Sequence, residues 1–143
     1  MSISYGNSFT VVEYNSLRRA VGWNEINERQ AVIGLSNSKY KAAAYDGERT
    51  VGMARLITDG GYVAYIADVV VHPDYQKLGI GRALLQMILT YIEDNLAEDE
   101  SVCVILMAAK DKEVFYKSFG FKERPTENLG AGMSRWISGK AQE

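Results

Sequence analysis

Apolar residues recur at helical intervals along Val11 to Val21 and again along Glu28 to Leu35, with Gly22, Trp23 and Asn24 as a break between them. Spacings of three and four put such residues on one face, so the chain opens with two short amphipathic helices. From Tyr40 the character changes. Tyr40 to Tyr45 and Arg49 to Thr58 flank Asp46 and Gly47, the Asp-Gly pair that suits a tight hairpin, and Asp59, Gly60 and Gly61 make the next turn. Tyr62 to Val71, rich in β-branched and aromatic side chains, completes an antiparallel meander of three strands.

Past His72 and Pro73 the period switches to three and four, and Ile80, Ala83, Leu84, Met87, Ile88, Tyr91 and Ile92 form one apolar stripe of a long helix. The charged stretch Glu93 to Glu100 is a solvated connection. Val102 to Ala108 then reads as a buried strand, so a strand, helix, strand crossover is implied. Asp111 is placed to cap a short helix running to Phe119, with Phe115 and Phe119 as its apolar face. Gly120 is the left-handed residue that ends it, and Phe121 folds back as the apolar contact. Met133 to Ile137 provides one last strand.

The 143 residues suit one domain, 1–143, of mixed α/β class, since a second core would lack apolar material. At 47% hydrophobic and 24% charged, with a net charge of -2, the composition is that of a soluble globular protein and not of a general nucleic-acid binder. No apolar run approaches the roughly 20 residues needed to span a bilayer, and the first ten residues do not resemble a leader, so a cytoplasmic protein with no membrane partner is expected. The one cysteine, Cys103, has apolar neighbours and reads as a small core residue. With a single histidine, His72, no metal site is expected.

The segment most suggestive of chemistry is the entry to the long helix. A strand leaves through His72 and Pro73, passes Gln76, Lys77, Leu78, Gly79, Ile80 and Gly81, and becomes helical. First-turn amides lack intrahelical acceptors and carry the positive end of the macrodipole, so they point at an anion on the axis. Gly79 and Gly81 remove side chains that would hold a phosphate away, and Lys77 and Arg82 add positive charge, as a diphosphate requires. A nucleotide-hydrolysing loop needs Lys-Ser/Thr after its glycine, but Arg82 and Ala83 follow Gly81. A dinucleotide loop needs a third glycine where Leu84 stands.

Gln76, Gly79 and Gly81 instead resemble the Gln/Arg-x-x-Gly-x-Gly/Ala signature of the GNAT N-acetyltransferase superfamily. Asp68-Val-Val-Val-His-Pro-Asp-Tyr-Gln76 is similar to that family's fourth strand and loop, and Phe115-Tyr-Lys-Ser-Phe-Gly-Phe121 to its second coenzyme-binding motif. The resemblance implies a mostly antiparallel mixed sheet of six to seven strands, split between strands 4 and 5 and flanked by about four helices. It also implies acetyl-CoA as acyl donor, with no metal. The coenzyme contacts it implies are Val69, Val70, Val71, Gln76, Lys77, Leu78, Gly79, Ile80, Gly81, Arg82, Ala83, Asp111, Phe115, Tyr116 and Phe119. Amides of Val69 and Val71 would bind the pantetheine arm and the thioester carbonyl.

Tyr116 matches the family's tyrosine and would act as general acid, because a phenol keeps its proton at neutral pH. Histone-type members carry a glutamate where Tyr65 stands, so Asp68 is the acidic candidate for a base. A salt bridge from Asp68 to Arg55, with the amine deprotonated through water, is the competing reading. Trp23, Arg55 and Tyr65 are the candidate acceptor contacts. Val21-Gly-Trp23, Gly52 to Asp59 and Gly132 to Trp136 resemble a subgroup of small bacterial enzymes and plastid arylalkylamine and lysine acetyltransferases. The implied reaction is acetyl transfer to a small amine, arylalkylamines included, with a protein lysine as alternative acceptor. A non-catalytic coenzyme-binding sensor is the rival, and a homodimer stays open.

Overall fold

Thr10 closes the amino end of the first helix with a complete capping box: its Oγ1 accepts from Glu13 N–H at 3.1 Å, and Glu13 Oε1 accepts from Thr10 N–H at 2.7 Å. In this computed structural model, which describes residues 2–140, helix α1 (Val11–Ala20) follows a short strand β1 (Ile3–Gly6). Helix α2 (Glu28–Ser36) is capped by Asn27, and strands β2 (Tyr40–Asp46), β3 (Arg49–Thr58) and β4 (Val63–Val71) form the meander. Helix α3 (Ile80–Asp94), strand β5 (Cys103–Leu106) and helix α4 (Glu113–Lys117) complete the elements. The residues fall into two compact units that divide between Met107 and Ala108.

The sheet of the first unit runs β1-β2-β3-β4-β5, antiparallel except for the β4–β5 pair. On β3, Gly52 faces Ile80 and Leu84 of α3, while the next residue, Met53, joins the cluster containing Tyr14, Leu17, Ala31 and Leu35. Successive strand residues point to opposite faces, so α3 covers one face and α1 with α2 the other. Ile80, Leu84, Leu85 and Ile88 are fully buried, each worth about 1.5–3 kcal/mol of burial. A Cβ on Gly52 would stand 3.1 Å from both Ile80 Cγ2 and Leu84 Cδ1. Gly52→Val is therefore expected to cost about 1–3 kcal/mol by overpacking. A thermal melt reads this as a Tm several degrees lower, at roughly 2–4 °C per kcal/mol.

The structure departs from the sequence expectations in three places. The sheet has five strands among the described residues, including β1, which the opening sequence did not announce, and Met133 to Ile137 forms no strand. Glycines at 130, 132 and 139 weaken that segment's extended preference, and Met133 and Trp136 are 90% and 93% exposed. Cys103 is exposed, because β5 is the edge strand and lies half in solvent. Finally, Asp111 does not cap α4. It takes φ +70, and the N-cap position falls to Lys112, with no side-chain cap bond.

In the second unit the carboxyl end of α4 closes as the sequence foretells. Gly120 has φ +91, its N–H donates to Lys117 O at 3.0 Å, and Phe121 N–H donates to Tyr116 O at 3.3 Å. These are the paired bonds of a Schellman closure. Its apolar contact is Phe121 edge-on to Tyr116, with ring centroids 6.1 Å apart. The buried position of α4 is Tyr116, while Phe115 and Phe119 are half-buried.

Candidate active site

β4 carries the irregularity on which the site is built. Ala67 pairs with Arg55 and Val70 with Met53, so Asp68 and Val69 together stand opposite the single residue Ala54. This is a bulge, and Asp68 adopts φ 55, a left-handed conformation uncommon for a residue within a strand. β5 accompanies β4 from Val63 (opposite Cys103) to Ile66 (opposite Leu106) and then ends. β4 continues to Val71, which leaves the edge it had shared with β5 without a strand partner among the described residues. His72 N–H donates to Val51 O of β3 at 2.8 Å, so the Val71 N–H, one residue earlier, turns away from β3 toward that open edge. Alternation through Val70, which is paired with Met53, gives Val69 the same orientation on the far side of the bulge.

The loop that follows is tied back to this strand. Gln76 Nε2 donates to Val71 O at 3.0 Å, His72 Nδ1 accepts from Asp74 N–H at 3.1 Å, and Tyr75 Oη donates to Asp46 Oδ2 at 2.6 Å. Lys77 (φ 66) and Gly79 (φ 82) are both left-handed, and Gly79, as N-cap of α3, brings no side chain over the helix end. Alternating left-handed and helical residues turn backbone N–H groups into a concavity suited to an anion. Ile80 is buried, so only its backbone can serve a ligand, while Lys77, Leu78 and Arg82 are exposed at the rim.

Beside the bulge the structure brings together Asp68, Arg55 and two residues the sequence reading missed, Tyr14 and Arg18. Asp68 Oδ1 accepts from Arg18 at 2.9 Å, and Oδ2 accepts from Arg55 Nε at 2.7 Å and from Tyr14 Oη at 2.8 Å. The expected Arg55 salt bridge is thus present, and Arg18 doubles it. Arg18 also donates through Nε to Asn24 O at 2.7 Å and lies 5.2 Å over the half-buried Trp23 ring. Tyr14 and Arg18 are four apart on α1, and a charged residue at i+4 from a core tyrosine was the available signal. Tyr65, half-buried three residues before Asp68, has its phenol pKa raised by burial and then by the Asp68 charge, partly offset by Arg55. Tyr14 is raised likewise, first by burial.

The remaining predicted residues, Asp111, Phe115, Tyr116 and Phe119, belong to the second unit. There Phe115 packs edge-on against Tyr116 at 5.0 Å and against Phe119 at 5.6 Å. Burial pushes the Tyr116 phenol up to about 12, so it holds its proton throughout the neutral range.

A family model described as an acetyltransferase (GNAT) domain matches residues 37–123. The chain belongs to the GNAT acetyltransferase family. It is an acetyl-CoA-dependent acyltransferase, as its relatives agree. The uncharacterized N-acetyltransferase ycf52 of Pyropia yezoensis is 31% identical over 86% of this chain and 71% of its own length. Serotonin N-acetyltransferase 2, chloroplastic, of Oryza sativa subsp. japonica is 32% identical over 83% of the chain and 52% of its own. Histone acetyltransferase TAP1 of Glycine max is 28% identical over 85% and 56%. A crystal structure of a probable acetyltransferase from meticillin-resistant Staphylococcus aureus superposes with a TM-score of 0.84 at 32% identity, covering 95% of this chain and 100% of that one. The uncapped helix end at Gly79 and the open edge of β4 fit the diphosphate and the extended arm of a GNAT cosubstrate.

Proposed function

We propose that this enzyme moves the acetyl group of acetyl-CoA onto a small primary amine, arylalkylamines among them, by direct attack within a ternary complex. The observation that carries the proposal is the open edge of β4 at Val69 and Val71. Backbone donors fixed on a strand and lacking a ladder partner are what an extended amide-bearing arm and a polarised carbonyl require. Acetyl-CoA supplies an acyl group already activated as a thioester. The chain holds it through loop amides between Leu78 and Ala83 with Lys77 at the rim, and orients it through Val69 and Val71. Tyr116 returns a proton to the departing sulfur.

Asp68 is not the base in this reading. Its carboxylate lies between two arginines and accepts from three donors, an environment that favours the charged form and makes it a weak base. The amine loses its proton to water instead. Trp23 offers an aromatic acceptor face, and the likeness to the Oryza serotonin enzyme supports an arylalkyl group.

Incubation with acetyl-CoA and either tryptamine or a lysine-containing peptide, followed by free thiol, tests the proposal. Thiol release with tryptamine is expected to exceed that with the peptide at least about tenfold, the scale of one good apolar pocket contact. The opposite order would make protein lysine the acceptor, the reading that the likeness to the Glycine max histone enzyme supports. Coenzyme binding with no amine-dependent release from a broad panel would leave only a sensor.

A further inference from the structure

We infer that Arg18 is a positioning residue for acetyl transfer, clamping the β4 bulge that aims the Val69 and Val71 amides to the acceptor-side turn that carries Trp23. The inference rests on the proposed function for its catalytic consequence, but the clamp stands on geometry alone. Asp68 is a non-glycine residue at φ 55, and a left-handed residue inside a strand relaxes unless other contacts hold it. Three donors converge on its carboxylate, from Arg18 and Tyr14 on α1 and from Arg55 on β3. The three charged side chains are nearly buried, with exposures of 14%, 16% and 12% for Arg18, Arg55 and Asp68, so their bonds compete little with water.

The two arginines divide the work. Arg55 continues to Gly34 O and Ser38 Oγ, both at 3.2 Å, and so anchors the bulge to the end of α2. Arg18 continues instead to Asn24 O and lies across Trp23, so one guanidinium joins the strand to the turn after α1. Its planar fork can serve Asp68 with one nitrogen and Asn24 with another, which an ammonium could not do in the same geometry. Releasing Asp68 lets the bulge relax toward regular pairing. A register change by the one extra residue would swing the Val69 amide to the other edge.

The test uses the full chain carrying Arg18→Gln, Asp68→Asn or both, with Tyr14→Phe as a milder variant in case the others fold poorly. In 15N-labelled protein without acceptor, Arg18→Gln and Tyr14→Phe are expected to move the amide resonances of Val69 and Val71, with smaller changes along β2. Unmoved resonances would overturn the clamp whatever the turnover. With acetyl-CoA and tryptamine, Arg18→Gln and Asp68→Asn should each lower kcat about 10- to 100-fold at nearly constant KM for acetyl-CoA, the mark of a misplaced carbonyl site. The double variant should be no slower than the slower single one, because both break one device. Losses that multiply, or an acidic limb of the pH–rate profile that vanishes in Asp68→Asn but persists in Arg18→Gln, would refute it and return Asp68 to the role of base. A wild-type protein that shows the amide shifts on mutation but releases no thiol would instead count against the proposed reaction.

Discussion

Tyr116→Phe is expected to lower kcat by about 10²- to 10⁴-fold, the range typical of losing a general acid, while coenzyme A binds within about twofold of wild type. The substitution removes one oxygen from a ring whose place is set by others. Phe115 and Phe121 pack edge-on against it, and the Schellman bonds at Gly120 fix the end of its helix. Burial pushes the phenol up to about 12, so the acid form persists well past neutrality. The sign follows directly: an upward shift extends the protonated range, so ionisation of Tyr116 should not reduce kcat/KM anywhere below about pH 10. The same shift makes the proton reluctant. Relative to a free thiol near 8.5, its transfer is uphill by about 5 kcal/mol. In the proposed mechanism, donation by Tyr116 would then be coupled to C–S cleavage and would not precede it. Stopped-flow thiol release with calorimetry of coenzyme binding would check both halves, and unchanged turnover in Tyr116→Phe would remove this residue from the mechanism.

Gly79→Val should weaken coenzyme A binding by about 10- to 100-fold, out of proportion to its effect on folding. No atom lies within 4 Å of a Cβ built at Gly79, so the cause is not a clash. It is the backbone, since φ +82 costs an L-residue about 1–2 kcal/mol and a β-branched one more. The exposed loop can escape that cost by rewinding, because its neighbours Lys77 and Leu78 are exposed too and resist little. Rewinding turns the helix-end amides off the axis along which they meet an anion. Asparagine tolerates this conformation better, so Gly79→Asn should keep most of the affinity that Gly79→Val loses. Isothermal titration of the three proteins with coenzyme A makes the comparison. Equal affinity in Gly79→Val would show that the loop conformation does not matter to the coenzyme.

Several features were legible because they depend on local chemistry. The stripe from Ile80 to Ile92 could only be a helix packed on one side, and α3 spans Ile80–Asp94. Asp46-Gly47 demanded a hairpin, and β2 and β3 flank it. Gly120 demanded a left-handed helix stop, and it is one. The entry to α3 belongs to the same class, since an exposed helix end with glycine at its cap is written in a few adjacent residues. Where local pattern was weak, the reading went astray. Cys103 looked buried from its neighbours, but an edge strand exposes alternate residues whatever their polarity.

What the amino-acid sequence by itself determined about this protein is the order of elements from α1 to α4, the family, through its motifs, and the glycine-capped entry to α3, because each rests on patterns and turn chemistry within about twenty residues. Only the tertiary structure showed that Asp68 is held by Arg18 and Tyr14 as well as by the expected Arg55. Its partners Arg18 and Tyr14 lie 50 and 54 residues away in the chain, and their i, i+4 spacing marks a shared helix face but not the strand residue that it meets. Convergence of that kind is set by how α1 settles on β3 and β4. A carboxylate that reads along the chain as either a base or the partner of Arg55 is, once the helix is in place, held by Arg55, Arg18 and Tyr14 together.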